Sequence, residues 1–244
     1  MPHVRIEIWS DVVCPWCYIG KRRLETALAD FEHRDVVEIV YRSFQLDPSA
    51  PREPVETIAE HLGAKYGGGP EAGRQMVERT EAVAAEEGLL FRLAEAQRVN
   101  TVDAHRLLHL ALEQGGPALQ AALKEELLAA YFLRAENVAD HATLRRTAEG
   151  VGLDSGRVEE VLAGQEYADA VERDIREATG LGATGVPFFV VDQKYGVSGA
   201  QPAELFGQVL TRAWEDTHPR LQHVGATDPG KAGDGACGPD GCAI

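Results

Sequence analysis

Two cysteines in the stretch Cys14-Pro15-Trp16-Cys17 are the side chains of this chain best suited to covalent chemistry. They follow an alternating apolar pattern over residues 4–8 that predicts a strand, and from Leu24 onward the apolar spacing becomes helical. Cys14 is therefore expected at a helix N-terminus, where unpaired N–H groups and the helix dipole favour an anion. It should ionise more easily than a free thiol and attack, and Cys17, one turn on, should resolve the mixed disulfide. The spacing predicts dithiol–disulfide chemistry.

A zinc half-site is the alternative interpretation, because two cysteines at this spacing also suit a tetrahedral metal. Completing such a site takes another close pair, and the chain's other pair, Cys237 and Cys242, lies in a segment rich in glycine and proline. His105 and His109 have helical i, i+4 spacing, but no third ligand is recognisable beside them. We therefore expect a redox dithiol and no metal site.

The residues next to the motif supply it with little positive charge. Pro15 and Trp16 are uncharged, so neither stabilises a Cys14 thiolate as a histidine in that position would. The basic run at residues 21–23 follows about two helical turns later and is expected to act only through solvent. We therefore expect Cys14 to be acidic, but only moderately so.

Composition restricts the partners and the compartment. The chain has 244 residues, 44% of them hydrophobic, which is enough to bury the core of one or two domains. Its net charge of −15 argues against nucleic acid or an anionic membrane as a partner. No apolar run approaches the roughly 18 residues that a membrane span needs. The first residues form neither a basic nor an apolar leader, which predicts a cytoplasmic protein.

The apolar pattern divides the chain into three sections. A β-α-β unit comes first, with a second strand over 36–46 that ends at Asp47-Pro48. A helical block follows, and a β-β-α unit comes last, with strands over 186–192 and 195–200 and a helix over 202–216. The helices expected in the block, separated by turns containing glycine or proline, are 55–66, 71–87, 102–114, 117–133, 141–150, 155–163 and 167–179.

The last 28 residues hold six glycines and three prolines, which predicts a mobile tail. Within it, Gly238-Pro239-Asp240-Gly241 favours a tight turn, so Cys237 and Cys242 are expected to close a small disulfide. A coil of roughly 20 residues spans about 25 Å, enough to reach the first cysteine pair. Two interpretations stay open. The tail cysteines are a shuttle dithiol that exchanges with the first pair, or the tail responds independently to redox state or metal, or has no role.

The front of the chain has a strand, C-P-W-C and a helix, the middle a helical insert, and the back Gly185-Val186-Pro187-Phe188-Phe189-Val190. In these features the chain resembles the DsbA superfamily. Three further stretches are Ser10-Asp11, Tyr18-Ile19-Gly20-Lys21 and Asn100-Thr101-Val102-Asp103-Ala104-His105-Arg106, and in these the chain is similar, more narrowly, to the FrnE-like cytoplasmic branch. The resemblance covers residues 4–216, and the cysteine tail is similar to that of some FrnE-like members.

The resemblance implies an α/β protein: a thioredoxin-like fold with a large inserted all-helical domain. The thioredoxin-like domain would be discontinuous, over residues 1–50 and 181–216. The inserted domain would occupy 51–180, and the tail 217–244.

The resemblance also implies a set of substrate-binding residues. The Val186-Pro187 bond is expected to be cis and to face the cysteines, so that the backbone of Val186 can pair with an extended substrate. An ordinary trans turn proline is the alternative. Asn100 and His105 would lie on the insert surface near the cleft, either contacting substrate or capping and packing their helix. Pro15 and Trp16 complete this expected set.

We therefore expect a cytoplasmic thiol–disulfide oxidoreductase or isomerase with Cys14 and Cys17 as catalytic residues. Its substrates would be cysteine-containing proteins, with no bound cofactor and with an external reductant such as thioredoxin or glutathione. The alternative is a glutathione-dependent isomerase or transferase of the kappa or 2-hydroxychromene-2-carboxylate isomerase type. Those enzymes are similar in architecture but usually present a lone serine or cysteine, so Cys17 argues against them. A binding module with structural zinc is the third possibility.

Overall fold

A four-stranded sheet, eight α-helices and one short 3-10 helix (Arg34–Val36) form the regular structure of residues 4–218, the part of the protein that the computed structural model describes. In chain order the elements are β1 (Val4–Ser10), α1 (Pro15–Ala29), β2 (Val37–Ser43), α2 (Ile58–Tyr66), α3 (Gly69–Glu86), α4 (Val102–Phe132), α5 (His141–Gly150), α6 (Ser155–Ala163), α7 (Ala168–Gly180), β3 (Phe188–Val191), β4 (Tyr195–Ser198) and α8 (Ala203–Thr217).

The strands lie in the order β2-β1-β3-β4. β1 runs parallel to β2 and antiparallel to β3, and β4 pairs antiparallel with β3. Helices α2 to α7 all come between β2 and β3 in the chain. The predicted fold class is therefore confirmed: a β-α-β unit and a β-β-α unit share one sheet, and a helical segment is inserted between them.

The second strand is shorter than predicted, and two of the predicted helices follow each other without a loop between them. The second strand ends at Ser43 rather than at residue 46, because the chain leaves the sheet there and the Leu46 N–H donates to the Asp11 carboxylate. The helices predicted over 102–114 and 117–133 are both present: they follow each other within α4, and the backbone between them is non-helical at Gly116, whose φ of 66° suits glycine. Although α4 has 31 residues, no helix within residues 4–218 is long and apolar enough to cross a membrane.

Strand β1 is buried on both faces, not on one as its alternation predicts. Its apolar residues Val4, Ile6 and Ile8 pack in the core formed with α1 and α8. The opposite face holds Glu7 and Trp9, which are also buried, and the Trp9 indole N–H donates to the Asp174 carbonyl of α7 at 2.8 Å. The inserted segment covers this second face, which alternation within β1 cannot show.

Candidate active site

Cys14 caps the N-terminus of α1, and Cys17 lies in the first turn of that helix. Pro15 takes the first helical position. A backbone N–H at that position has no partner within the helix, so its absence in proline costs no hydrogen bond. The Cys17 N–H donates to the Cys14 carbonyl at 3.0 Å. Both cysteines are free thiols, 2% and 4% exposed, beside Trp16, which is 43% exposed. The predicted position of Cys14 at the helix N-terminus is confirmed.

The loop before β3 lies directly against Cys14. The Val186-Pro187 bond is cis, as expected, and the Cys14 thiol donates to the Val186 carbonyl at 3.5 Å. Close approach of α1 to this loop depends on Gly20, since an added Cβ there would lie 3.2 Å from the Pro187 ring and 3.3 Å from Phe189. A glycine one turn after the motif therefore allows the cysteines to reach Val186 and Pro187.

The Cys17 thiol is held mainly in its neutral form. Burial, and next the neighbouring Cys14, raise the pKa of Cys17 well above its usual range. Lys124 and the backbone N–H of Asp11 act in the opposite direction and favour the thiolate. Lys124 and Asp11 are thus the two groups that oppose the effect of burial on the pKa of this thiol.

Lys124 is a buried cation beside the cysteines that the sequence analysis missed. It comes from α4, is 1% exposed, and donates from Nζ to the Ser10 carbonyl at 3.3 Å. Burial lowers its pKa to about 8, against the opposing effects of the two cysteines and Asp11. The available signal was its helical position, four residues after Gln120 and four before Leu128 on a face that is buried throughout.

Asp11 and His105 form a buried polar pair behind the motif. One Asp11 carboxylate oxygen contacts His105 Nε2 at 3.1 Å and accepts the Val12 N–H at 2.8 Å, and the other accepts the Leu46 N–H at 2.8 Å. Burial lowers the pKa of His105 although Asp11 opposes this shift. The expected place of His105 on the insert surface is wrong: its ring is fully buried.

An apolar groove opens beside the motif between α2 and the loop that carries Cys14. This α2 groove has a volume of about 210 Å³. Its apolar lining includes Val13, Pro15, Leu46, Ile58, Leu62 and Tyr66. Lys65 lies at the groove and forms no ion pair with another described residue, whereas Arg98 is paired with Asp47 at 2.6 Å.

The family model of the DsbA-like thioredoxin domain matches residues 5–211 of this chain. The chain belongs to the DsbA-like thioredoxin family. A probable DsbA oxidoreductase from Streptomyces coelicolor is 48% identical, with 99% of each chain covered and a TM-score of 0.82.

Two more distant structures share the DsbA-like fold. A 2-hydroxychromene-2-carboxylate isomerase is 14% identical, with 88% of this chain and 98% of that chain covered and a TM-score of 0.64. The cytosolic disulfide reductase DsbM from Pseudomonas aeruginosa with GSH is 19% identical, with 89% and 100% covered and a TM-score of 0.57. At these identities the likeness shows the fold alone.

In this DsbA-like protein Asn100 joins the start of α4 to the segment that follows β2. Its side-chain amide donates to the carbonyls of Pro48 and Ala50, both at 3.1 Å, and its side-chain oxygen accepts the Val102 N–H at 2.9 Å. These bonds tie the start of α4 to the segment after β2. They match the capping and packing alternative for Asn100; its predicted contact with substrate stays a prediction.

The basic residues after the motif are neutralised rather than free to act through solvent. Lys21 is buried and pairs with Glu125 at 2.5 Å and with Glu25; Arg22 pairs with the same two carboxylates. Although burial acts against it, bonding to Arg22, Lys21 and Tyr18 lowers the pKa of Glu125 to about 2. The positive charges of Lys21 and Arg22 are therefore balanced by ion pairs within the protein and are not free to act on the cysteines.

The second cysteine pair of the DsbA-like chain, Cys237 and Cys242, lies outside the described residues. Within residues 4–218, no group of three or more histidine, cysteine, aspartate or glutamate side chains is arranged to hold a metal ion.

Proposed function

We propose that this DsbA-like protein is a cytoplasmic thiol–disulfide oxidoreductase or isomerase of the FrnE-like branch that acts on disulfides of cysteine-containing proteins. The observation that carries the proposal is the pairing of Cys14, at the N-terminus of α1 and against Val186, with Cys17 one turn further on. A helix N-terminus stabilises an attacking thiolate, and Cys17, whose pKa is raised well above its usual range, is suited to act once the first sulfur is bonded.

In the reductive direction the Cys14 thiolate attacks one sulfur of a substrate disulfide. That S–S bond breaks, the first substrate sulfur leaves as a thiolate, and Cys14 is held in a mixed disulfide. Cys17 then loses its proton and attacks the Cys14 sulfur, and the second substrate thiolate leaves. The substrate gains two electrons and, with two protons from water, becomes two thiols, while Cys14 and Cys17 become a disulfide. An external thiol such as thioredoxin or glutathione returns the enzyme to the dithiol.

The α2 groove supports a polypeptide as the substrate. Pro15 belongs both to the motif and to the groove lining, so a side chain close to the reacting disulfide can enter the groove. Leu46 and Tyr66 line it and are exposed, which favours a large apolar side chain as occupant. The exposed Trp16 adds apolar surface next to the sulfurs.

The first experiment compares single cysteine variants in insulin reduction and in refolding of scrambled ribonuclease. Cys14→Ser is expected to abolish both activities, because it removes the attacking sulfur. Cys17→Ser is expected to accumulate mixed disulfides with substrate, which mass spectrometry detects. Cys237→Ser/Cys242→Ser protein is measured in parallel and is expected to keep the direct thiol reactivity of Cys14, because it retains both cysteines of the first pair.

Reversed behaviour of the two single variants would contradict the assignment of attacking and resolving thiols. A glutathione-dependent isomerase needs only one nucleophile, so full activity on a chromene carboxylate in Cys17→Ser protein, with no disulfide exchange in the wild type, would support that alternative. The reduction potential, measured against glutathione, then separates a reductase, which has a low value, from an oxidase, which has a high one.

For the tail we propose that Cys237 and Cys242 form a disulfide that exchanges with Cys14 and Cys17. Support comes from the turn-favouring residues between them and from the reach of the chain. Truncation after residue 220 is expected to keep the fold and the direct thiol reactivity of Cys14 but to change turnover with protein substrates or a physiological reductant. Equal turnover of both forms across several reductants would assign the tail cysteines to another purpose.

A further inference from the structure

We propose that Lys124 is the positioning residue that allows the buried Cys17 thiol to ionise, so that the helical insert controls the step that releases substrate. The proposal rests on the dithiol chemistry of the proposed function. It adds an electrostatic partner that lies 107 residues away from Cys17 in the chain. Its basis is the placement of the ammonium relative to one peptide group.

Lys124 does not form an ion pair with a neighbouring carboxylate of the described residues. Among the described residues no carboxylate lies within 4.0 Å of its ammonium, and its one hydrogen bond goes to the Ser10 carbonyl at 3.3 Å. The ring of Tyr41 lies 5.8 Å away. A buried ammonium without a carboxylate costs stability, and an apolar side chain of similar volume would pack there at lower cost. A functional reason for the charge is therefore required.

Helix α4 holds Lys124 between the Ser10–Asp11 peptide and the first turns of α1. The Ser10 carbonyl accepts from the Lys124 ammonium at 3.3 Å, and the next residue of α4, Glu125, accepts the hydroxyl of Tyr18, the residue after Cys17, at 2.6 Å. Lys124 and the backbone of Asp11 both favour the Cys17 thiolate. A hydrogen bond to one end of a peptide strengthens the donor at the other end, because the two dipoles polarise each other, so the bond to Ser10 adds to the effect of the charge itself.

Other charged groups near this site are already engaged. The Asp11 carboxylate accepts two backbone N–H groups and contacts His105. Lys21 on α1 pairs with Glu25 and Glu125. Lys124 also faces Cys14 on α1 and Tyr41 on β2. Within residues 4–218 it is thus the cation opposite Cys17 that lacks a carboxylate partner of its own.

The charge matters most in the second chemical step. Cys14 attacks from the helix N-terminus, where backbone N–H groups already favour an anion. Cys17 has no such position, and burial keeps it protonated. During resolution its proton passes to water, its sulfur bonds to Cys14, and the substrate thiolate leaves. Loss of the Lys124 charge is therefore expected to slow resolution much more than the first attack.

The test uses the reduced full-length protein in a Cys237→Ser/Cys242→Ser background and dithiobis(nitrobenzoate) as the disulfide. Each molecule releases one nitrothiolate when Cys14 attacks and a second when Cys17 resolves, so stopped-flow absorbance separates the two steps. In Lys124→Met protein the second phase at neutral pH is expected to slow at least about tenfold and its pH profile to move upward, while the first phase changes less than about threefold. Lys124→Arg, which keeps the charge, is expected to restore the second phase in part.

Lys21→Met is the matched control, the same substitution at another buried lysine of this region, and its second phase is expected to stay within about twofold of the wild type. Ultraviolet titration of the Cys17 thiolate in a Cys14→Ser background gives a readout independent of turnover, and Lys124→Met is expected to raise the midpoint. Melting temperatures identify variants that fail to fold, and Lys124→Gln replaces any that do. Equal second phases and equal midpoints in wild-type and Lys124→Met proteins would overturn the inference. Absence of both phases in the wild type would instead reject the proposed function.

Discussion

At the scale of single residues, the site depends on a buried polar pair, Asp11 and His105, whose protonation states are set together. Asp11 receives two backbone N–H groups and His105, so its carboxylate stays ionised, and bonding to His105 lowers its pKa although burial opposes this. His105 stays neutral because burial outweighs the attraction of Asp11. The loop that leads into Cys14 is thereby joined to α4 by one bonded pair.

This pair predicts a loss of stability on mild acidification. Since burial lowers the pKa of His105 below its ordinary value of 6.5, the unfolded chain binds a proton there that the folded protein resists. The free energy of unfolding should therefore fall as pH decreases below about 6.5, by up to about 1.4 kcal/mol per pH unit from this residue. Urea titrations between neutral pH and the onset of carboxylate protonation measure the slope. His105→Gln should remove its share, and an unchanged slope in that variant would contradict the assignment.

At the scale of elements, glycines set how closely the helices approach one another and the strands. Gly20 allows α1 to lie against Pro187 and Phe189. In α3, an added Cβ at Gly73 would lie 1.8 Å from the carbonyl oxygen of Ala59 in α2. Since α2 forms one wall of the α2 groove, the fit between α2 and α3 also shapes the proposed substrate site.

Glycine-to-alanine substitution is expected to have opposite effects on stability at two helical positions, one at the α2–α3 contact and one in open space on α8. Gly73→Ala should destabilise the protein by about 1–3 kcal/mol, because backbone has to move to make room. Gly207→Ala in α8 adds a methyl group with nothing within 4 Å of it, so it should stabilise by about 0.5–1 kcal/mol through helix propensity. Thermal and urea unfolding measure both. A neutral Gly73→Ala would show that α2 and α3 are not held this closely in solution.

At the scale of the whole molecule, the helical insert and the sheet share their core and an edge. Val12, Tyr18 and Ile19, from the first β-α unit, pack in the same apolar cluster as the buried residues of α4. The Gln120 side-chain amide donates to the Tyr41 carbonyl and accepts the Tyr41 N–H, both at 2.9 Å. It thereby occupies backbone groups on the outer edge of β2, which would otherwise be open to another strand.

This shared packing predicts that the sheet and the insert unfold together. Calorimetry should show one transition whose calorimetric and van't Hoff enthalpies agree, because separating the two parts would expose the common cluster. Near- and far-ultraviolet circular dichroism should give coincident midpoints in urea. Two resolved transitions would show instead that the insert is an independent cooperative unit. In that case Gln120→Leu, which removes the bonds to Tyr41, should leave the unfolding transition of the sheet unchanged.

Local signals account for the parts of the molecule that the sequence predicts well. The strand-to-helix change around Cys14 and Cys17, the Gly185-Val186-Pro187 start of the third strand and the turns between helices each depend on residues near one another in the chain. The predicted order of elements follows from them and agrees with the structure. The position of Cys14 at the helix N-terminus was predictable for the same reason, since proline at the next position favours a helix start.

By itself, then, the sequence determined the order of the elements and the place of the cysteine pair among them, because these depend on periodicity and on short motifs. Only the tertiary structure decided which polar side chains are buried around that pair. Lys124, His105 and Gln120 all come from α4 and meet partners 79 to 114 residues away. A long polar side chain on a helix can extend to solvent or turn inward, and periodicity does not distinguish the two. The choice is made by what packs against the helix, which depends on the whole chain.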